Sequence, residues 1–584
     1  MIYNVSHLRS FSFSFAVLIL LAFSQSVPTQ TFAAALTPTG RLIVTAEAGG
    51  AWNIFTADLS GSAWQKIAVN VAPAREPAMS PDGKTIAFRS KREGNWEIYA
   101  LRGDTVTRLT RGTIYSGAPV WSPDSKKIAF ESYARGDLDV WVMNSDGSAP
   151  IDLTDNEKTY DYAPAWSPDG KWIAFTSWRT GIQQIFVVAA DCVRACKATN
   201  LSASKSNDQQ AAWSPDGSKL AFVSDRDGQR AIYIADFTSA GLTNTRRITF
   251  SGWDEQPAWS PDGKWIAFIS PRPTRQPIYI VAADGSSSIP HIVENGPAWA
   301  SSVEWSEDAT ALGNVGTVTI AGDDASNNGA LYREQPDLAP ADSGHPYDLR
   351  RIRSAKLEGG FSRLSGRIAD SFEALLVRTK QEVGYDFLAL LADMTRSIDV
   401  KCDVTCDTLS WHKAGRAVDT RTDYNGMEIV REDQLGETYW RTYLKASAQN
   451  GTLGEPLKDA PWDLSYRARW VVAPGEGGVK KPVPYGFYVD FTGLARQYSW
   501  ERISSYDSED FDWKTNKIGA EYWHIERRQG MNWYQAMREV YAESDLKSLT
   551  DWNTLIKSGY DPYLLYLKGI PAPASAWRWY ALNP

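Results

Sequence analysis

The chain has 584 residues and a formal net charge of -8, with 69 Asp and Glu against 61 Lys and Arg. This length exceeds one ordinary hydrophobic core, so more than one domain is expected. The acidic balance and the absence of a long Lys or Arg run exclude a nucleic-acid footprint and a basic membrane-binding patch, which favours a small-molecule, peptide or protein partner.

Residues 1–35 predict a secretory signal peptide. His7 and Arg9 give a weakly basic start, an apolar stretch covers residues 11–23, and small residues end the segment at Ala33, Ala34 and Ala35. The apolar stretch is short for a bilayer span and no similar stretch follows it. We therefore expect an exported protein, periplasmic or extracellular, whose mature form has no transmembrane span.

The four cysteines form two close pairs, Cys192 with Cys196 and Cys402 with Cys406. In an oxidising compartment such pairs favour two local disulfides. The alternative is a four-cysteine metal site, which is less favoured because the two pairs fall in different predicted domains.

A repeated phrase of the type Trp-Ser-Pro-Asp-Gly, followed by a short apolar strand, runs through the first half of the chain. Its turn aspartates lie 42 to 47 residues apart, at Asp82, Asp124, Asp169, Asp216, Asp262 and Asp308. This period is typical of a four-stranded propeller blade. Within each phrase Pro presets φ, Asp bonds the local backbone and Gly accepts a positive φ, so a turn is predicted before each apolar strand.

The apolar strands predict six blades, with leading residues Ile43, Ile86, Ile128, Ile173, Leu220 and Ile266. The first blade lacks its own Ser-Pro-Asp-Gly strand, while SSVEWSEDATAL is left over at the far end. A ring closed by strands from both ends uses both fragments and removes exposed edges. The repeats resemble the TolB-like six-bladed propellers over residues 36–320, which implies an all-β domain for recognition.

A tryptophan precedes most of the turns, at Trp121, Trp166, Trp213, Trp259 and Trp305. These rings could form a sugar-stacking array or pack between blades. Packing is favoured, because a position that recurs in blade after blade serves the common core.

Residues 321–350 are rich in Asp, Asn, Gly, Pro and Ala and predict a linker. Beyond it Ile368, Phe372, Leu375 and Leu376 share one helical face, with Gly384 as a C-terminal cap. Residues 386–392 predict a buried strand, GFYVDFTG and AEYWHIE look extended, and NWYQAMREVY and TDWNTLIKSG look helical. The fold class is therefore multidomain: the propeller is followed by an α+β domain over residues 351–584 with a C-terminal helical extension.

The stretch LSWHKAGRAVDTRT places His412 seven residues before Asp419. On a straight strand the two would lie about 23 Å apart, and on a straight helix about 10 Å apart. Neither arrangement allows a shared ion. Gly415 lets the chain bend cheaply, which puts His412 at a loop edge and Asp419 on the following strand.

A second segment, AEYWHIERR, places Glu521 three residues before His524. On a regular strand these side chains point to opposite faces, so a twist or bulge is needed to bring them together. Two imidazoles and one carboxylate supply three ligands and leave a fourth position open, as in catalytic zinc sites. Glu521 beside them could accept a proton from water. The alternatives are structural histidines and an iron(II) oxygenase site with the same donor types.

Both segments together resemble the two-part signature of the zinc D-alanyl-D-alanine carboxypeptidases and dipeptidases, whose fold is related to the zinc domain of hedgehog proteins. The resemblance covers roughly residues 384–528 and rests on Ser410, His412, Gly415, Ala417, Asp419, Glu521, Tyr522, Trp523 and His524. It implies a Zn²⁺ cofactor bound by His412, Asp419 and His524. It also implies Glu521 as general base and Ser410 as a substrate contact, with Arg396 in the place of a substrate-binding or oxyanion-stabilising arginine.

The implied activity is hydrolysis of peptide bonds in peptidoglycan stem peptides, with the propeller recruiting a partner or the wall. The interval between Asp419 and Glu521 carries a Trp- and Tyr-rich insertion, which could reshape the substrate groove. The alternative is a non-catalytic extracytoplasmic scaffold whose metal-containing domain only binds peptide.

Overall fold

The computed structural model describes most of the chain between residues 38 and 573. The described ranges are 38–48, 51–59, 64–67, 73–112, 114–155, 159–193, 196–271, 276–286, 290–293, 297, 300–306, 347–357, 362–394, 396, 409–421, 425–434, 437–465, 478–505, 514, 520–528 and 530–573. The predicted signal peptide, nearly all of the predicted linker, and Cys402 and Cys406 lie outside the described residues.

Six four-stranded antiparallel sheets are present in the described part of residues 41–306, and each is one blade of a propeller. The strands of blades 1 to 3 are β1 Arg41–Ala48, β2 Ala51–Asp58, β3 Gln65–Lys66; β4 Ala74–Met79, β5 Ile86–Ser90, β6 Glu97–Arg102, β7 Thr105–Arg108; β8 Ser116–Trp121, β9 Lys127–Ser132, β10 Asp139–Asn144 and β11 Ile151–Asp152. Those of blades 4 to 6 are β12 Asp161–Trp166, β13 Trp172–Ser177, β14 Gln184–Ala189, β15 Thr199–Asn200; β16 Asp208–Trp213, β17 Lys219–Ser224, β18 Ala231–Thr238, β19 Gly241–Arg247; β20 Glu255–Trp259, β21 Trp265–Ile269, β22 Ile278–Ala282 and β23 His291–Ile292.

Blade 1 is completed by a strand from the other end of the propeller, β24 Ala300–Ser306. This strand pairs antiparallel with β1, so that Val303 lies opposite Val44. The Ser302 hydroxyl donates to Thr45 Oγ1 at 2.8 Å across the seam. The predicted closure by strands from both ends is therefore confirmed.

The tryptophans that precede the turns pack between blades. The side chains are 6 to 9% exposed at Trp121, Trp166, Trp213, Trp259 and Trp305. The Trp121 indole N–H donates to the Ala78 carbonyl at 2.9 Å, and that of Trp213 donates to the Ala165 carbonyl at 3.0 Å, each in the preceding blade. The structure confirms the packing role over a sugar-stacking array.

The disulfide predicted in the first half is present. Cys192 and Cys196 are bonded, with their Cα atoms 5.8 Å apart. Cys196 is buried in the core of blades 3 and 4, so the bridge fastens the chain after β14 against that core.

The second region, from residue 347 onward, combines small sheets with short helices. Its first elements are β25 Leu349–Arg351, β26 Lys356–Leu357, β27 Arg363–Ser365, α1 Ala369–Val383, a 3-10 turn Phe387–Ala389, β28 Leu390–Leu391, β29 Ala417–Asp419, β30 Met427–Gln434 and β31 Glu437–Lys445. Then follow β32 Glu455–Pro456, β33 Trp462–Asp463, β34 Val479–Lys480, β35 Phe487–Asp490, α2 Phe491–Gln497, β36 Glu501–Arg502, β37 His524–Glu526, α3 Trp533–Arg538, α4 Glu543–Leu546, α5 Trp552–Lys557 and α6 Pro562–Leu567. In the described part of this region, the two sheets with more than two strands have the orders β29-β37-β36 and β30-β31-β35-β32.

Helix α1 has the predicted buried face, including Phe372 and Leu375. Gly384 ends it in the left-handed region, with φ of 84°, and donates to the Lys380 carbonyl. The strand predicted over residues 386–392 is wrong. That stretch forms a 3-10 turn and only the two-residue strand β28, because an apolar run satisfies burial equally well in either conformation.

The extended prediction for GFYVDFTG is also wrong in its second half. Asp490 ends β35 and accepts a hydrogen bond from the Gly493 N–H at 2.8 Å, which starts helix α2. The two helical predictions near the C-terminus are confirmed in shorter form as α3 and α5, with Asn532 and Asp551 as N-caps. Within the described ranges no helix is long and apolar enough to cross a bilayer.

Partly buried charges join the second region to the propeller, and the side chains of Glu455 and Lys458 are 31% and 29% exposed. The Glu455 carboxylate contacts the guanidinium groups of Arg75 and Arg89, each at 2.9 Å. The Lys458 ammonium pairs with Glu131, whose side chain has no exposed surface. Charges removed from water in this way must be matched, so the contact has a defined geometry.

Aromatic rings extend the same contact. Tyr133 and Tyr160 of the propeller pack edge to face against Phe487 and Tyr485, with ring centroids 5.2 and 5.4 Å apart. Phe487 belongs to a buried cluster made of residues from both regions. Each region also has buried clusters of its own, one of which lies around α1 in the second region.

Candidate metal centre

Two short strands carry two of the three predicted ligands. Strands β29 and β37 pair antiparallel with Asp419 directly opposite His524, and opposite side chains on one face of such a pair are near neighbours. Val418 and Ile525 point to the other face and are buried in the core around α1. Burial of these apolar residues therefore holds the ligand face of the strand pair in place.

His412 reaches the site from a tight turn before β29. Its backbone carbonyl accepts from the Gly415 N–H at 3.1 Å, which closes the turn. Gly415 has φ of 63°, and a Cβ there would lie 2.6 Å from Leu349 Cδ2 and 2.8 Å from the Ser365 backbone nitrogen. The predicted bend at Gly415 is thus confirmed, and both the conformation and the space require glycine.

The three side chains converge. His412 Nε2 lies 3.3 Å and His524 Nδ1 lies 2.8 Å from Asp419 Oδ1. One donor atom from each residue falls within 4.8 Å of the other two. In a tetrahedral zinc site with bonds near 2.05 Å, ligand atoms are separated by about 3.3 Å. The His412 spacing matches this value, and the His524 spacing must open by about 0.5 Å to admit an ion.

The outward-facing nitrogens of both histidines also suit metal ligation. His412 Nδ1 lies 3.0 Å from the Met394 carbonyl oxygen, which can only accept. This contact places a proton on Nδ1, so Nε2 is the nitrogen that would bind an ion beside Asp419. His524 Nε2 lies 3.2 Å from Glu526 Oε2, and Glu526 in turn pairs with Arg528. Such outer acceptors orient ligand imidazoles in metal sites and raise their basicity.

Without an ion, the protonated His524 imidazole and the ionised Asp419 carboxylate stabilise one another. Burial acts to lower the pKa of His524, but Asp419 and Glu526 outweigh it and raise that pKa to about 10. Burial acts to raise the pKa of Asp419, but His412 and His524 lower it well below the usual range. The Asp419 carboxylate is therefore ionised at neutral pH, as a metal ligand must be.

Glu521 precedes β37 in a turn, and no bulge is needed to bring it toward His524. The His524 N–H donates to the Glu521 carbonyl at 3.1 Å, which closes the turn over residues 521–524. Glu521 has φ of 54°, an uncommon value for a residue with a side chain. Burial raises the pKa of its carboxyl to about 7, although the nearby His524 acts to lower it. The charges of His524 and Asp419 therefore act on the Glu521 carboxyl.

Arg396 and Ser410 lie beside the His412 turn. The Arg396 N–H donates to the His412 carbonyl at 3.4 Å, and its guanidinium bonds Asp393 at 2.7 Å. The Ser410 hydroxyl accepts from the His412 N–H at 3.3 Å. The substrate contact expected of Ser410 stays a prediction, while the structure assigns its hydroxyl a role in supporting the turn.

Sequence reasoning missed two residues that support the centre. Glu526 stands two positions after His524, so strand alternation places it on the ligand face, and this signal could have identified it. Glu539 contacts the fully buried Arg416 at 2.6 Å, across 123 positions of chain. No local pattern could reveal this second contact.

The fold and the site together define a chain in which a six-bladed β-propeller precedes a region with a three-ligand candidate site for a divalent metal. The family model described as the TolB beta propeller domain matches residues 101–307. A comparison with curated proteins gives no match.

Solved structures similar to this chain include two TolB proteins. TolB from Acinetobacter baumannii is 24% identical over 46% of this chain and 66% of that chain, with a TM-score of 0.39. A putative TolB from Agrobacterium tumefaciens is 22% identical over 46% of this chain and 99% of that chain, with a TM-score of 0.35. A puromycin-hydrolyzing peptidase from Mycobacterium tuberculosis is 19% identical over 38% of this chain and 37% of that chain, with a TM-score of 0.29.

Proposed function

We propose that this protein is an exported zinc peptidase that hydrolyses peptide bonds in peptidoglycan stem peptides, in the manner of a D-Ala-D-Ala carboxypeptidase or dipeptidase. The observation that carries the proposal is the convergence of His412, Asp419 and His524 with Glu521 in the adjoining turn. The signal peptide predicted at residues 1–35 supports export to the periplasm or beyond.

His412 Nε2, Asp419 Oδ1 and His524 Nδ1 are the atoms that would hold the ion. A zinc ion bound there supplies a Lewis acid for the scissile carbonyl and makes water more acidic at neutral pH. Glu521 accepts the proton of the attacking water and delivers it to the departing amine. The Arg396 guanidinium, beside the His412 turn, stabilises the negative charge that develops on the carbonyl oxygen or holds the substrate carboxylate.

The donor set alone also suits an iron(II) oxygenase, in which two histidines and one carboxylate hold the metal. Glu521 distinguishes the two hypotheses, because amide hydrolysis needs a proton carrier whereas oxygen activation at iron does not need a carboxylate at this place. Burial raises the pKa of this carboxyl in the metal-free site, and a bound cation would lower it again, so that an ionised Glu521 could accept the proton. Hydrolysis is therefore the function that we propose.

The propeller serves recognition in this proposal. Its contact with the second region through Glu455 and Lys458 is built from paired, partly buried charges. A partner or wall fragment bound to the propeller would therefore be held in a defined position relative to the second region.

The decisive experiment compares Glu521→Gln with His412→Ala. Purified proteins are incubated with peptidoglycan fragments, with and without a chelator, and released D-alanine or new amino groups are measured beside zinc content. Glu521→Gln should retain zinc and lose at least about a hundredfold in turnover, because an amide cannot accept the proton. His412→Ala should lose both zinc and activity, since two protein ligands remain.

Full activity in Glu521→Gln would contradict the mechanism even if zinc were bound. Loss of zinc from Glu521→Gln would reassign Glu521 to the support of the metal. A wild-type protein that binds zinc and fragments without any turnover would instead be a peptide-binding scaffold.

A further inference from the structure

A cleft of about 370 Å³ lies between the propeller and the second region, over blades 4 and 5. The propeller contributes the loop between β13 and β14, the segment before β16 and the loop between β17 and β18. The second region contributes residues of β30, β33 and β34. None of the metal-site residues lines it, so this is a separate cavity whose walls exist only when both regions are in contact.

Three indole rings from three separate segments line the cleft: Trp178, Trp253 and Trp462. Trp178 is fixed by a hydrogen bond from its Nε1 to the Lys458 carbonyl at 2.9 Å. The Arg230 guanidinium lies 4.3 Å from the centre of the Trp253 ring. The rings are therefore held in place by groups other than each other.

Trp253 belongs to the buried part of the cleft wall. Its side chain is only 5% exposed, and among the described residues no acceptor lies within hydrogen-bond distance of its Nε1. Buried indole N–H groups ordinarily find a partner. This nitrogen has almost no exposed surface, so Trp253 forms part of the cleft wall and its N–H does not reach a ligand in the cleft.

Four of the charged groups that line the cleft form two ion pairs, and Asp225 is hydrogen-bonded by a neutral amide. Arg230 contacts Asp459 at 2.6 Å, and Arg431 contacts Asp433 at 3.0 Å. The Asp225 carboxylate accepts two hydrogen bonds from Asn207, at 2.8 and 2.6 Å.

Two exposed lysines, Lys205 and Lys480, also line the cleft, and neither forms an ion pair within the described part of the chain. The two ion pairs cancel, and Asp225 keeps its negative charge because its partner Asn207 is neutral, so two lysines against one aspartate leave the lining with a net charge of +1. A negatively charged substituent on a ligand would meet them there.

We infer that this cleft binds a saccharide that carries an anionic group. The C–H face of a sugar ring packs on the partly exposed indoles of Trp178 and Trp462, its hydroxyl and acetamido groups exchange hydrogen bonds with Asn207 and Gln229, and its anionic group faces the two lysines. The cavity lies near the lower end of the range of about 300–1,000 Å³ for small-molecule sites. Within the proposed function, which supplies the choice of ligand, the wall glycan disaccharide is the member of this class.

A peptide is the less favoured occupant. Aliphatic lining comes from Ile182, Val430 and Ala460, while rings, amides and charged groups make up most of the rest. This lining suits ring faces and hydroxyl groups better than it suits peptide side chains. Binding of a peptide is therefore one of the outcomes that the test distinguishes.

The test is calorimetric titration of the full-length protein with three probes: N-acetylglucosaminyl-N-acetylmuramic acid with its free carboxylate, neutral chitobiose, and a stem pentapeptide without sugar. The anionic disaccharide should bind about five- to tenfold more tightly than chitobiose, as expected for contacts with exposed charges. No binding of the disaccharide at millimolar concentration, or binding of the pentapeptide alone, overturns the inference.

Two variants locate the binding. Trp462→Leu replaces a partly exposed indole of the cleft wall with a side chain that has no ring face, and should weaken disaccharide binding about tenfold. The double variant Lys205→Gln/Lys480→Gln changes exposed residues, so folding is spared, and should remove the preference over chitobiose. The matched control is Lys126→Gln, whose side chain is 80% exposed in a turn of blade 3, and it should bind like wild type. Binding unaffected by both cleft variants overturns the assignment to this cleft.

The cleft and the metal centre can fail separately. His412→Ala should still bind the disaccharide with wild-type affinity, because His412 does not line the cleft. Saccharide binding without hydrolysis would support this inference and contradict the proposed function. Hydrolysis without saccharide binding would support the proposed function and contradict this inference.

Discussion

Replacing Glu539 with Gln should destabilise the second region more than any surface charge change does. The Glu539 side chain is 2% exposed and contacts Arg416, which has no exposed surface, at 2.6 Å. It also pairs with Arg367. The substitution keeps the shape and removes the negative charge, so two guanidinium groups lose the carboxylate that they share.

The magnitude follows from burial. Two unit charges about 4 Å apart attract by about 4 kcal/mol at an effective dielectric constant of about 20. Breaking one side of a buried ion pair typically costs about 3–5 kcal/mol, because the remaining charge cannot return to water. The Arg416 guanidinium keeps its hydrogen bond to the Arg527 carbonyl at 3.0 Å, which lessens the loss. We expect about 3 kcal/mol and a melting temperature lower by about 10 °C for a region of this size.

The assay is thermal unfolding followed by near-ultraviolet circular dichroism, with Glu437→Gln as control because Glu437 is exposed. Zinc binding is measured in parallel below the transition. Arg416 directly precedes β29, so zinc affinity should also fall. A loss of stability below about 1 kcal/mol, the level of an exposed pair, would show that Arg416 is solvated or otherwise matched and would refute the reasoning.

Three further results are expected. Glu526→Gln weakens the acceptor of His524 Nε2 and should lower zinc affinity about 10- to 100-fold in chelator competition; an unchanged affinity would remove Glu526 from the support of the site. Glu455→Gln removes the charge facing Arg89 and should speed hydrogen exchange at the contact between the two regions, and unaltered exchange there would contradict the pairing. Burial raises the pKa of Glu304 to about 8, so the folded protein binds this proton more tightly than the unfolded chain does. Relative to Glu304→Gln, the wild type should therefore lose stability as the pH rises from about 4.5 to 8. Parallel stability profiles of the two proteins would refute this.

The propeller could be predicted because the same sequence pattern recurs in successive blades. Most blades repeat the turn, the following apolar strand and the buried tryptophan, so an error at one position is corrected by the others. The closure of blade 1 by β24 followed from counting fragments. The bend at Gly415 was predictable for a different reason, since a shared ion between His412 and Asp419 leaves glycine as the cheapest hinge.

What escaped prediction depends on contacts that are distant in sequence or on one local bond. Asp490 ends β35 because its carboxylate caps α2, and the apolar pattern of GFYVDFTG contains no sign of that choice. The turn at Glu521 brings it toward His524 through a single backbone hydrogen bond. The charges that join the two regions, such as Glu455 and Arg89, form pairs only after both regions have folded. Neither residue can therefore be recognised as part of a pair from the sequence alone.

The seam in blade 1 has a consequence for how the chain is made. Ser302 and Thr45 meet across 257 positions, so β1 emerges from the ribosome long before β24 exists. Until then β1 has an unsatisfied edge, which can pair with another chain. Closure is also a long-range step, and such steps slow folding. Anything that delays translation between these two strands should therefore raise aggregation, and a chaperone that shields one strand edge should relieve it.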